Sequence, residues 1–316
     1  MASVDVRRSW AFAPGHVTGV FAPSLESPDP RGRGSVGAGL VLDLGVTTEA
    51  TWRPGGGHRI RVEDENGRPL PISDDVARRL VADRPGALRI RVRHALPVGQ
   101  GFGMSAAGAL ATALAVSRLL AVPRARAIEV AHLADLYGSG GLGGVAAILG
   151  GGVEIRTRPG IPPWGRIRHL PSERSVLIGV VGRPIPSPAI LRDPRWLARI
   201  RRAAGTLESI GPSGSLDRLM DASERFTDRL GLADPSVRAV VRGIRRRGGR
   251  AAQAMFGTSF FALLPEPAAR ARVLAWLESE RVRALEVGLD RRGARLLLRG
   301  RSGASLLAGG PSRRPP

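Results

Sequence analysis

The sequence predicts an α+β fold built from two domains, and three observations carry that expectation. Apolar stretches of strand length alternate with longer segments of helical periodicity along the 316 residues, enough chain for one large domain or two medium ones. A glycine-rich loop at 97–103 feeds a long apolar helix. A proline-rich connection, Pro159–Pro163, separates the halves. It places a first domain at 1–165, a second at 166–300, and a Gly/Ser/Pro-rich tail, expected to be disordered, at 301–316.

Residues 9–21 (SWAFAPGHVTGVF) read as a first strand running into a turn at Pro14–Gly15. A glycine-rich segment at 32–39 precedes an apolar strand at Leu40–Leu44. Thr47–Trp52 and His58–Val62 read as further strands, with a turn at Glu65-Asn66-Gly67. Ser73–Asp83 has the pattern of a short amphipathic helix, and Ala87–His94 alternates as a strand. Ala106–Leu120, free of proline and with Arg118 as its single charge, reads as a buried helix. Pro123 opens a helix at Arg124–Tyr137. Gly138–Gly152 is a second glycine-rich loop around a short apolar helix, and Val153–Thr157 reads as a strand.

The second half begins with a strand at Ser175–Val181, followed by helices at Ala189–Ala204, Leu216–Gly231 and Ser236–Arg247. A strand pair within Ala251–Leu264 turns at Gly257-Thr258-Ser259. A helix at Pro267–Glu280 and strands near Leu285–Leu289 and Arg295–Leu298 complete the chain, which has no internal repeat.

Composition narrows the function. The 43% hydrophobic content supports a globular core. No uncharged apolar run reaches the roughly 18 residues of a membrane span. The N-terminus, MASVDVRRSWAFAPG, lacks the continuous apolar segment of a signal peptide. With no cysteine, disulfides and thiolate metal sites are excluded, which suits a cytoplasmic or a high-temperature protein. The formal net charge is +21, and all 48 basic residues are arginine. Such a surface attracts polyanions without sequence preference. Aromatics make up only 4% of the chain, too few for base-stacking platforms, and the arginines are spread along its length. Neither a dedicated nucleic-acid partner nor a membrane is expected.

The chemistry centres on residues 97–120, PVGQGFGMSAAGALATALAVSRLL. A loop with Gly99, Gly101 and Gly103 ahead of a helix presents backbone N–H groups to an anion, with the positive end of the helix dipole behind them. Glycine lets the backbone approach phosphate oxygens without a Cβ in the way. Ser105 stands where its hydroxyl can take a phosphate-bound Mg²⁺, or simply cap the helix. The lysine of a Walker-type loop is absent. The residues alone leave open a plain glycine loop before a core helix.

Three stretches in order, APGHVTGVF (13–21), PVGQGFGMSAAGA (97–109) and MFGTSFFAL (255–263), resemble the GHMP kinase superfamily. The second is similar to its P-x-x-x-G-L-x-S-S-A phosphate loop. Within the superfamily the chain resembles the archaeal pantoate kinases, whose first motif is matched by Pro14, His16, Thr18, Gly19 and Phe21. GSVGAG (34–39), AHLAD (131–135), GGLGGVAAILGGGVEIRTRPG (140–160) and GRPIPSP (182–188) follow in order and spacing, so the resemblance spans about residues 10 to 300.

The resemblance implies a two-domain GHMP kinase fold: an N-terminal domain like domain 2 of ribosomal protein S5, and a ferredoxin-like α/β C-terminal domain. The active site would lie in the cleft between them. It implies transfer of the ATP γ-phosphate to the 4-hydroxyl of (R)-pantoate, on the archaeal route to coenzyme A. Pro97, Gly99, Gly101, Phe102, Gly103, Met104, Ser105 and Ala106 would wrap the nucleotide phosphates. Ser105 and Asp135 would hold Mg²⁺, with Asp135 in place of the family's glutamate. Arg156 would pair with the pantoate carboxylate, a task suited to a planar fork, and His16, Ser35 and Ser187 would contact the rest of the acceptor. Ser105, Asp135 and Arg156 form the catalytic set. The superfamily is often dimeric, but nothing in the sequence marks an interface. His58, His94, His132 and His169 lack metal-ligand spacing and receive no role.

One departure matters. Where the family has G-L-G-D, with an aspartate thought to serve as base, this chain reads Gly141-Leu142-Gly143-Gly144. No nearby carboxylate substitutes on sequence grounds, and Glu154 is expected to meet the surroundings of Arg156 only indirectly. Two alternatives therefore stay open: a GHMP kinase acting on another small hydroxylated acid, and a catalytically impaired, nucleotide-binding paralogue that works as a sensor.

Overall fold

The computed structural model describes residues 6–138, 142–183, 190–191, 193–211 and 214–298. The expected tail at 301–316 and Ser187 lie outside the described residues. Eleven strands among the described residues form two sheets. In the first sheet, β1 (Arg7–Ser24) lies between β11 (Arg295–Leu297) and β2 (Gly34–Pro54), and β4 (Gly86–His94) and β3 (His58–Asp64) continue beyond β2. β2 carries two partners on one edge: its second half, Val46–Pro54, pairs with β4, and Gly37–Val41 pairs with β5 (Gly152–Arg158). β6 (Arg166–Leu170) closes that arm against β5. The second sheet runs β10 (Ala284–Val287), β7 (Val176–Val180), β9 (Ser259–Leu263), β8 (Arg250–Gln253).

The first sheet draws strands from both sides of the boundary expected after residue 165. Pro159–Pro163 belongs to the turn of the β5–β6 hairpin, so the first sheet keeps Arg166–Leu170. It also recovers Arg295–Leu297 from the end of the chain, which pairs with Trp10–Phe12 of β1. The strands expected at 40–44 and 47–52 are one, because β2 continues through Gly45, where the backbone of β1 comes too close for any side chain. The pairing of β1 with β2 shifts register between Pro14 and His16, where a turn was expected.

Helices α1 (Pro71–Val81) and α2 (Met104–Leu120) pack on the first sheet, and α3 (Arg124–Gly138) packs against both of them. α2 is apolar on every side, and all its residues from Ala106 to Ser117 are buried. Its many alanines let α1 and α3 approach closely. The short α4 (Gly144–Ala147) packs against α2 and α3. In the second half, α5 (Pro194–Ala203) runs into a 3-10 turn at Ala204–Ile210. α6 (Leu216–Leu230), α7 (Pro235–Arg246) and α8 (Pro267–Ser279) follow. Three of these helices start on side-chain caps: Asp193, Ser215 and Asp234 accept from backbone N–H groups of α5, α6 and α7. α7 and α8 cover the second sheet through Val237, Val241, Ile244, Val273 and Leu277, around Phe260. A larger apolar cluster runs through both sheets, with Phe21 of β1 against Phe226 of α6 and Phe256 at ring separations of 5.8 and 5.4 Å.

Candidate active site

The phosphate loop has the geometry that its composition dictates. Gly99, Gly101 and Gly103 hold φ angles of +79°, +79° and +68°, in the left-handed region open to glycine. Gly103 occupies the cap position of α2, and no side chain caps that helix. No side chain therefore competes for its first amides, as anion binding at a helix start requires. Ser105 is not a cap. It sits inside the first turn and donates to Asp135 Oδ1 of α3 at 2.8 Å. Two residues 30 positions apart thus form one oxygen-rich pair. The side chains of Phe102, Met104 and Ala106 are buried in the core, so these residues meet a ligand through their backbone, while Pro97 is half-buried at the loop's entrance.

Gln100, which sequence reasoning passed over, fixes the loop to the second sheet. Its side chain donates to Gly182 O at 2.9 Å and accepts from the Thr258 hydroxyl at 3.1 Å, and its carbonyl accepts from the Ser259 hydroxyl. Gly101 and Gly257 pass so close to the backbones of Ala254 and Gln100 that neither tolerates a Cβ. The glycine turn of MFGTSFFAL is therefore the second wall of the loop. The first wall is His16, whose N–H donates to Phe102 O at 2.9 Å.

A second cluster lies across β1, β2 and β5. Gly39 pairs with Glu154 and Gly37 with Arg156, while Thr18 of β1 faces Gly39 from the other side. The glycines leave a bare floor on β2 over which side chains from both neighbours meet. A Cβ on Gly39 would lie 2.5 Å from His16 Nε2, and one on Gly37 would lie 2.7 Å from Arg156 Nη2. On that floor His16 Nε2 donates to Glu154 Oε1 at 2.9 Å, and Arg156 Nη1 donates to the same oxygen. Thr18 Oγ1 lies 3.3 Å from His16 Nδ1, consistent with a neutral ring protonated on Nε2. Burial holds the His16 pKa below its usual value despite Glu154. Burial works to raise the Glu154 pKa, but Arg156 and His16 hold it below the usual carboxylate range.

The direct bond from Arg156 to Glu154 corrects the expectation that the two meet only indirectly. Residues two apart on a strand share a face, and the opposing glycines let both side chains lie flat. Ser35 belongs to the same cluster: its hydroxyl donates to Leu142 O, and a Cβ on Gly143 would lie 3.5 Å from Ser35 Oγ and 3.6 Å from Arg156 Nε. That Nε is buried and has no hydrogen-bond partner among the described residues. Gly144, where the family's aspartate is absent, joins the two clusters. Its Cβ position is 3.7 Å from Asp135 Oδ2 and 2.7 Å from the Ala106 methyl. His132, one turn before Asp135 on α3, is buried with Nε2 at 3.2 Å from Pro30 O, and burial lowers its pKa.

The structure thus brings together Ser105 with Asp135, and His16 with Ser35 and Arg156. Among the described residues no group of three or more His, Asp or Glu side chains is placed to hold a metal. Ser105 and Asp135 supply two hard oxygen donors, which fits a cation that takes its other ligands from phosphate and water. No helix among the described residues is long and apolar enough to cross a membrane.

Residues 72–152 match the family described as GHMP kinases N terminal domain. A solved structure described as a phosphotransferase related to the CoA biosynthesis pathway superposes with a TM-score of 0.83 at 29% identity, covering 92% of this chain and 98% of that one. Mevalonate diphosphate decarboxylase from Staphylococcus aureus superposes with a TM-score of 0.69 over 93% of this chain and 98% of its own, and at 13% identity it shows the fold alone. Fold and loop together define a GHMP kinase. The pantoate kinases of Methanospirillum hungatei and Thermococcus kodakarensis are each 32% identical to the chain, over 265 and 273 residues, covering 82% and 84% of it and 89% and 90% of their own lengths. The chain belongs to the pantoate kinase family.

Proposed function

We propose that the chain phosphorylates the 4-hydroxyl of pantoate with ATP and Mg²⁺. The observation that carries this reading is the buried, positively charged Arg156 with an unpartnered Nε, set beside Ser35 and Gly143 and joined through Gly144 to the phosphate loop. A buried guanidinium with an unused donor is costly unless a ligand completes it. A carboxylate is the group that fits a planar fork.

The amides of the loop and of the first turn of α2 bind the nucleotide phosphates. Ser105 and Asp135 hold the cation, which when bound neutralises charge on the transferring phosphoryl group. Arg156 takes the acceptor carboxylate, while His16 and Ser35 border the same floor. With glycine at 144 there is no carboxylate at that position to receive the hydroxyl proton. Phosphoryl transfer passes through a loose transition state in which positioning and charge neutralisation do most of the work, so the proton can leave late to a phosphate oxygen.

Gly144 also favours the competing reading of a nucleotide-binding paralogue without turnover. An Mg²⁺–ATP assay that follows phosphopantoate directly, with mevalonate and homoserine as controls, separates the two. Pantoate-dependent turnover that falls at least about 10²-fold in Ser105→Ala is the expected result. ATP binding without turnover of any acceptor would refute the kinase reading.

A further inference from the structure

Glu154 has no part in the chemistry just described, yet it is fully buried at the centre of the acceptor floor. Its bonding is lopsided. Oε1 accepts from both His16 Nε2 and Arg156 Nη1, while Oε2 is buried without a partner among the described residues. A carboxylate whose task was to neutralise Arg156 would meet it through two parallel N–H···O bonds. Here Glu154 takes Nη1 alone, and the guanidinium is turned so that Nε is left without a partner among the described residues.

Held in that rotation, Nη2 lies over Gly37, 2.7 Å from where a Cβ would stand, and Nε lies 3.6 Å from the corresponding point on Gly143. Nε and Nη2 form one edge of the guanidinium, the side-on fork that receives a carboxylate bidentately. His16 anchors the carboxylate from the opposite strand, so Glu154 is itself fixed from β1 as well as from β5.

We propose that Glu154 is the positioning residue of the acceptor site: by holding Nη1 it presents the Nε–Nη2 edge of Arg156 to the acceptor carboxylate and so sets the preference for an acid over a neutral acceptor. This rests on the reading of Arg156 as receptor for that carboxylate.

The test uses the full chain with Mg²⁺–ATP and two acceptors, pantoate and its primary carboxamide, in wild type, Glu154→Asp and Glu154→Gln. Aspartate keeps the charge but withdraws the oxygen by one methylene. Glutamine loses the charge but keeps an oxygen at the same reach. Positioning predicts that Glu154→Asp raises the KM for pantoate by about tenfold or more, the size of one charge-assisted hydrogen bond, and erodes the acid-over-amide preference to the same extent. The KM for ATP should stay within about twofold of wild type, and Glu154→Gln should keep most of the preference. Should Glu154→Asp fail to fold, the preference of Glu154→Gln decides alone. The proposal is overturned if aspartate behaves as wild type, or if glutamine loses the preference. A wild-type enzyme that turns over pantoate and its amide equally well would instead remove the carboxylate reading of Arg156, before any variant is compared.

Discussion

Adding a single methyl at Gly144 inverts the usual sign of a glycine substitution. Gly144 begins α4, and its φ does not lie in the left-handed region. Replacing a helical glycine with alanine ordinarily stabilises by roughly 0.5–1 kcal/mol. Here the new methyl would stand 2.7 Å from the Ala106 methyl, when carbon atoms at rest keep about 3.5–4.0 Å. The close approach of α2 to α4 at this point depends on glycine at 144. Gly144→Ala must widen it by about 1 Å, at an overpacking cost of about 1–3 kcal/mol. Ala106 follows Ser105 directly, so the same shift displaces the hydroxyl bonded to Asp135, and a misplacement of about 1 Å costs roughly 10²-fold in turnover.

Ala106→Gly should relieve the clash at a helix-propensity cost of about 1 kcal/mol or less. The double variant should therefore recover stability relative to the sum of the singles, with a coupling of about 1–2 kcal/mol in urea unfolding. In that background, Gly144→Asp places a carboxylate beside Asp135 and should raise kcat at least about tenfold over Ala106→Gly alone, within the range typical of general-base assistance. Wild-type stability and turnover in Gly144→Ala, or strict additivity in the cycle, would refute the packing argument.

Acidification should destabilise the fold. Burial holds His16, His94, His132 and His169 below their usual pKa, so between about pH 7 and 5 the unfolded chain takes up protons that the folded chain refuses. Stability is then fully present above the unfolded histidine pKa and is lost as the pH falls. A calorimetric Tm that stays flat or rises from pH 7.5 to 5.5 would contradict this. On the acceptor floor, Gly39→Ala would press a methyl onto the Val17 carbonyl and to 2.5 Å from His16 Nε2, and should abolish folding or cost more than about 4 kcal/mol. Gly55→Ala, at φ +84° with open space around it, should lose only about 1 kcal/mol. Equal losses in urea unfolding would mean that backbone conformation, not the close approach, sets the cost at Gly39.

The difference between what the sequence disclosed and what it hid follows from the range of the interactions. The phosphate loop was legible because its physics is local: glycines at alternate positions, then an apolar helix with no proline. Ser105 and Asp135 were paired only through motif order, since nothing in either segment says that α2 and α3 lie side by side. β6 escaped notice because RIRHL alternates charge along a half-buried arm, which reads as loop until β5 is seen beside it. Glu154 is the sharper case. A charged pair spaced by two on a strand reads as a solvent face, and that reading fails only if the opposing strand offers no side chains. The sign of that was present in Gly37 and Gly39, but each half is uninformative alone. Only the β2–β5 register, which sets Gly39 against Glu154 and Gly37 against Arg156, turns two bare positions and two charges into a buried site.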